Sequence, residues 1–286
     1  MQQTYHIPPL WTGLALVALT TLVMLGGVGV VGRLASVIVP FMAIGYIGTG
    51  ICVLARYSDL VWPAFQAIFY EAMHGSAVLG GLAGGGILLA LQLGVSRGIC
   101  SNESGLGSTA IAAAAARTDC AVRQGLLAML GPLVATLGVC SITGLVLIVT
   151  GSLDGVWNHS ISLQGSALVV QAFGDNVPLG DHIVTFGLLF FAYSTTMAWS
   201  YYGVQCAEYL AGRRLVNLYR IVYVFLLLPG AIGSVQAVWA FADTMNGLMA
   251  IPNLIGVFAL RKVVRNETKR YFSKVSSALH VQEVKG

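Results

Sequence analysis

The sequence predicts an all-α polytopic membrane protein with about seven transmembrane helices, one of them broken. Three observations carry that expectation. Of the 286 residues, 57% are hydrophobic and only 9% charged, against about 25% charged in a soluble domain. The mean hydropathy of +0.81 is more apolar character than a soluble fold of this size can hide from water. The apolar residues also fall into successive runs, many close to the roughly 20 residues that cross a hydrocarbon core as a helix.

The first run, residues 10–31, follows Pro8-Pro9 and closes at Gly32-Arg33. The second, 34–55, contains Pro40 and ends at Arg56. A shorter apolar helix, 60–73, enters a glycine-rich break at 74–86, and residues 87–96 complete that crossing. Residues 126–150 are the fourth span, and 151–181 a polar connection with three aspartates and no Lys or Arg. The fifth span is 182–202, the sixth 216–239 with Pro229-Gly230 inside it, and the seventh 245–260. Residues 261–286 form a basic tail.

The Lys and Arg of the short loops set the orientation. On a seven-crossing path every one of them except Arg56 falls on one side, which predicts a cytoplasmic C-terminus in the inner (plasma) membrane. Met1 to His6 carries no basic region and no cleavage pattern, so no signal peptide is expected. The net charge of +4 is scattered over span ends and tail and does not predict a nucleic-acid partner. Five cysteines and five histidines have no metal-ligand spacing, and no catalytic triad, zinc motif or phosphate loop is apparent. Neither an enzyme nor a bound cofactor is expected.

Three stretches have the chemistry to recognise a ligand inside the bilayer. Residues 74–86 hold six glycines, each costing a helix interior about 1 kcal/mol relative to alanine. Non-helical backbone at membrane depth is tolerated only where it is buried or lines a cavity. In transporters such breaks present N–H and C=O groups to substrate and ions; close helix packing is the plain alternative. In FAYSTTMAWSYYG (191–203), Ser194 and Thr195 point about 100° apart and can jointly flank one site, with Trp199 on the face of Thr195. Hard cations prefer oxygen ligands, whereas membrane-helix hydroxyls commonly bond the preceding turn's carbonyls. Within 243–253, Asp243 and Asn246 stand at helix-cap spacing and predict the start of the last span. Pro252 and Asn253 follow inside it, and Asn253 can serve a ligand or glue helices together.

A polar, glycine-punctuated interruption, RGICSNESGLGS (97–108), precedes an alanine run, and Ser108 or Thr109 is the expected N-cap of that helix. The interruption resembles the signature RG-x-FSNEAG-x-GS of the sodium:alanine symporters, the alanine or glycine:cation symporter family. Residues 191–203 resemble that family's FAFST-x-x-x-WSYYG, and NGLMAIPNLI (246–255) matches another of its stretches. The agreement runs in order from about residue 8 to 265.

This resemblance implies a LeuT-like transporter in which one helix precedes two inverted five-helix repeats. The chain would be a single, partial transmembrane transporter domain, residues 1–286, corresponding to helices four to ten of those repeats. By the same resemblance the break at 80–86, with Gly81, Gly84 and Gly85, faces the substrate's polar groups. The Phe191 carbonyl, Ser194 and Thr195 form half of a Na+ site, and Thr195 and Trp199 border the amino acid. Ser101, Asn102, Glu103, Gly105 and Gly107 take a gating or structural role at the cytoplasmic mouth. Departures from the family pattern are Gly86 for a hydroxyl residue, Cys100 for phenylalanine, Cys120-Ala121 for His-Pro, and Val204-Gln205 for a charged pair. The expected function is Na+-coupled symport of alanine or glycine by alternating access. A rhodopsin- or receptor-like seven-helix bundle and a transport-inactive, truncated symporter remain alternatives.

Overall fold

The computed structural model describes residues 1–26, 28–74, 86–157 and 165–283. The described elements are helices: α1 (Gln2–Tyr5), α2 (Pro9–Gly26), α3 (Val28–Arg56), α4 (Ser58–His74), α5 (Gly86–Asn102), α6 (Ser108–Ala114) and α7 (Ala121–Leu133). A π-helical segment, Val134–Cys140, joins α7 to α8 (Ser141–Val149). Then come α9 (Ser152–Trp157), α10 (Ser166–Gly174), α11 (Gly180–Ala211), α12 (Arg213–Ile232) and α13 (Val235–Glu283). Among the described residues, five stretches are long and apolar enough to cross a membrane: Ser36–Arg56, Ala121–Val149, Gly180–Ala211, Arg213–Ile232 and Val235–Ser277, with a shorter apolar helix at Pro9–Met24. This is the architecture of a multi-pass membrane protein.

Helix is the answer because a segment in hydrocarbon must satisfy its own N–H and C=O groups. Hydroxyls inside the spans follow the same rule: Thr49 donates to the Gly45 carbonyl at 2.8 Å and Thr143 to Val139 at 2.6 Å. Pro132 lies inside α7 and supplies no N–H to the ladder. The π-segment Val134–Cys140 follows directly; local π adjustments of this kind are tolerated in membrane helices that carry proline.

The chain divides into two compact units, residues 1–92 with 136–238, and residues 93–135 with 239–286. In the first, α11 packs against α3, α12, α10 and α2. Its core joins Tyr46 and Val53 of α3, Val146 of α8, Ala172 and Phe173 of α10 and Val184 of α11. The Tyr46 hydroxyl is 2.7 Å from that of Thr143, so the buried phenol is satisfied. Val23 of α2 packs with Tyr193 and Met197 of α11. Arg56, at the end of α3, makes a long-range bond, its Nη1 donating to the Asn176 carbonyl at 3.1 Å. The Tyr57 hydroxyl donates to Asn176 Oδ1 at 2.7 Å, so the α3–α4 junction is tied to the turn after α10. The second unit contains the end of α5, the turn after it, α6, α7 and most of α13.

Several sequence-based boundaries are corrected. Gly32-Arg33 is not a boundary, since α3 runs through it. The helix expected to stop at residue 96 continues to Asn102, taking half of the 97–108 interruption with it. Asp243 and Asn246 do not cap a helix: α13 begins at Val235 and carries both in its interior. The sixth span ends at Ile232 rather than 239, with Pro229 inside it. The residues from 261 to Glu283 continue α13 as helix.

Candidate functional site

Gly81, Gly84 and Gly85, expected to face the substrate, lie outside the described residues. What is described of the expected site is on α11 and in the turn between α5 and α6, and each falls within one compact unit.

On α11 the helix runs unbroken through residues 191–203. Ser194 Oγ donates to the Phe191 carbonyl at 2.9 Å, so two of the three expected cation ligands come together. An edge of that length suits a hard cation with metal–oxygen bonds of about 2.4 Å; the Ser194 oxygen keeps free lone pairs, whereas the Phe191 carbonyl, inside an unbroken helix, accepts both the ladder N–H and the Ser194 hydroxyl. Thr195 is exposed within its unit and is not joined to that pair. Thr196 and Ser200 bond back to the carbonyls of Ala192 and Met197 at 2.8 and 2.7 Å, the ordinary behaviour of membrane-helix hydroxyls. Trp199 is half-buried and meets Tyr202 edge-on, with ring centroids 5.9 Å apart.

The opposite side of this segment is held by its neighbours. Tyr193 and Met197 are buried against α2. From α12, the Tyr223 hydroxyl donates to the Thr196 carbonyl at 2.7 Å, and the Tyr219 ring lies where a side chain at Gly203 would stand. Only glycine fits at 203 with that tyrosine in place. Sequence reasoning missed both tyrosines, because nothing local to α12 points to a carbonyl on α11.

The turn between α5 and α6 is built from three left-handed residues, Glu103 at φ 51°, Gly105 at 79° and Gly107 at 84°. Leu106 is buried within it. Ser108, 1% exposed, donates its hydroxyl to Glu103 Oε2 at 2.8 Å. The expected N-cap is thereby corrected: Gly107 holds that position, Ser108 is the first residue of α6, and no side chain caps the helix. A Cβ at Gly107 would stand 3.2 Å from Asn253 Oδ1 of α13, so the glycine is required by both conformation and contact. Ser101 is exposed, and Asn102 is half-buried at the end of α5.

One turn earlier on α5, Arg97 forms a two-pronged ion pair with Asp243 of α13, Nη2 to Oδ2 at 2.9 Å and Nη1 to Oδ1 at 3.1 Å. Ser96 Oγ adds a third bond to Oδ1 at 3.0 Å, and the guanidinium lies 3.8 Å over the Trp239 ring. Fork geometry of this kind is the stronger, more directional form of ion pairing, and the ring face adds a cation–π contribution. Cap spacing alone does not disclose this partnership. The isolation of Asp243 as the sole acidic residue among the apolar residues 235–260 is the signal that it needs a cationic partner.

Comparison with known proteins bears on the whole chain. Residues 1–285 match the sodium:alanine symporter family. The chain is 46% identical over 269 residues to the sodium/alanine symporter AgcS of Methanococcus maripaludis, covering 93% of this chain and 58% of that one. An uncharacterised transporter of Haemophilus influenzae is 46% identical over 277 residues, 96% of this chain and 60% of its own. The probable sodium/glutamine symporter GlnT of Bacillus subtilis is 34% identical over 262 residues, 91% of this chain and 53% of its own. The chain thus spans somewhat more than half the length of these relatives. With the match extending over nearly every residue, the chain belongs to the sodium:alanine symporter family.

Proposed function

We propose that the chain is part of a sodium-coupled symporter for alanine, glycine or a similarly small amino acid in the plasma membrane, working by alternating access. The 46% identity to a sodium/alanine symporter across 93% of the chain carries this reading. The oxygen pair on α11 supports it: the Phe191 carbonyl and Ser194 hydroxyl would supply two ligands to Na+, the coupled cargo. Thr195 would be the third ligand and, with Trp199, would border the amino acid; the glycines at 81, 84 and 85 would face its polar groups. Sodium would stabilise the loaded state and so bias the exchange between outward and inward forms.

The reading includes a LeuT-like arrangement of seven crossings with a cytoplasmic C-terminus, a turn at 101–107 acting as gate or brace at the cytoplasmic mouth, and no enzymatic activity. These relatives are named as transporters, which leaves the receptor-like alternative without support. Equilibrium binding of radiolabelled alanine and glycine tests the proposal, using the chain alone and the chain joined to the N-terminal helices of a full-length relative. Sodium-dependent binding by the extended form supports it. Binding indifferent to sodium in both forms contradicts it, and binding by the extended form alone assigns the shorter chain an inactive state.

A further inference from the structure

We infer that the first compact unit carries an oxyanion pocket, distinct from the α11 segment that faces sodium and amino acid in the proposed function, and built for a phosphate group. A cavity of about 480 Å3 opens beside the turn at Gly212, between α11, α12 and the end of α2. Tyr201, Gln205 and Glu208 line it from α11, and Arg213, Asn217 and Arg220 from α12.

Arg220 is the decisive residue. It is half-buried, and its Nε is shielded from solvent with no hydrogen-bond partner among the described residues. A guanidinium stays charged at any physiological pH, and a shielded donor without an acceptor is unfavourable enough that native proteins rarely keep one. The carboxylate in the pocket does not relieve it: Glu208 is paired with Arg213, Oε1 to Nε at 3.7 Å. That pairing leaves Arg220 as a net positive charge on the wall of a polar cavity, with the amides of Gln205 and Asn217 nearby as neutral donors.

An oxyanion with several acceptor oxygens satisfies this arrangement, and the planar fork of arginine matches phosphate in particular. Two sources supply that chemistry, inorganic phosphate and the headgroup of an anionic lipid. The exposed apolar residues Leu218, Ile221, Val222 and Phe225 on the same helix give acyl chains a surface to lie on, so the lipid is the natural occupant. A lipid in this pocket requires a membrane around α12 but not transport, so its absence and a failure of the symport reading are separate events.

The test uses the full chain in lipid nanodiscs. In phosphatidylcholine discs containing phosphatidylglycerol, native mass spectrometry should find phosphatidylglycerol retained on the wild type. Arg220→Gln should lower that retention roughly fivefold, while Arg117→Gln, an exposed position that does not line the pocket, keeps it. Inorganic phosphate in discs of phosphatidylcholine alone separates the sources: a rise in Tm that Arg220→Gln abolishes assigns the pocket to the free anion. Should Arg220→Gln not insert, Arg220→Lys keeps the charge without the fork and should show a smaller loss in the same direction. Equal phosphatidylglycerol retention in wild type and Arg220 variants, with no phosphate-dependent shift, would overturn the assignment.

Discussion

At Gly107 a single hydrogen decides the conformation. Its φ of 84° lies where any L side chain is strained, and the Asn253 amide occupies the space beside it. Gly107→Ala is therefore expected to destabilise the second unit by roughly 1–2 kcal/mol, read as a lower Tm in detergent. Gly98, inside α5 with nothing near its missing Cβ, provides the contrast: Gly98→Ala should leave Tm unchanged or raise it by up to about 1 kcal/mol equivalent. Equal losses at the two positions would contradict the turn as described. Ser194 poses a sharper question, because its bond to the Phe191 carbonyl is compatible with both a ligand and a satisfied hydroxyl. If it is a ligand, Ser194→Ala should raise the half-saturating sodium concentration at least about tenfold, as loss of a bond to a charged group does. Thr196→Ala, removing an equivalent back-bond at an adjacent position, should leave sodium dependence alone.

Between elements, the pair to measure is Arg97 and Asp243. Both side chains are about one-third exposed, 37% and 31%, so the pair sits between the surface and buried regimes. Removing either partner should cost about 1–3 kcal/mol, and removing both less than the sum, a coupling that a double-mutant cycle on unfolding in detergent would read directly. Additive single losses would sink the claim that this pair joins α5 to α13. On the other unit, Tyr223→Phe should cost about 1 kcal/mol by leaving the Thr196 carbonyl without its α12 donor. These two contacts also show what the sequence could and could not disclose. The existence of the helices followed from apolar runs, and the sequence pointed to α11 and the 97–108 turn as the places to look. The end of α5 and the start of α13 were misplaced for one shared reason. Arg97 and Asp243 look like loop residues when read locally, and each is held on a helix by the other, a long-range compensation that local pattern does not contain. The Phe191 carbonyl came to stand beside Ser194 only through the family resemblance, and their closeness follows from a shared helix turn; the tyrosines of α12 were not legible, because their partners lie on another element.

For the whole molecule, length and charge set the terms. At about 1.5 Å per residue, the 49 residues of α13 reach well over twice the roughly 30 Å of hydrocarbon. The charged residues beyond 260 therefore lie outside it. In the proposed topology that basic end lies in the cytoplasm, so a C-terminal fluorescent-protein fusion should glow and an alkaline phosphatase fusion at the same point should stay inactive. The family relationship covers nearly all of this chain but little more than half of its relatives, so activity has to be measured for the chain alone and for its extended form. The most direct measurement is uptake of radiolabelled alanine into proteoliposomes under an inward sodium gradient. Sodium-coupled symport requires accumulation by the extended form that collapses when sodium is equal on both sides and that Ser194→Ala shifts to higher sodium. Accumulation equal with and without the gradient, or none in either form, would contradict it.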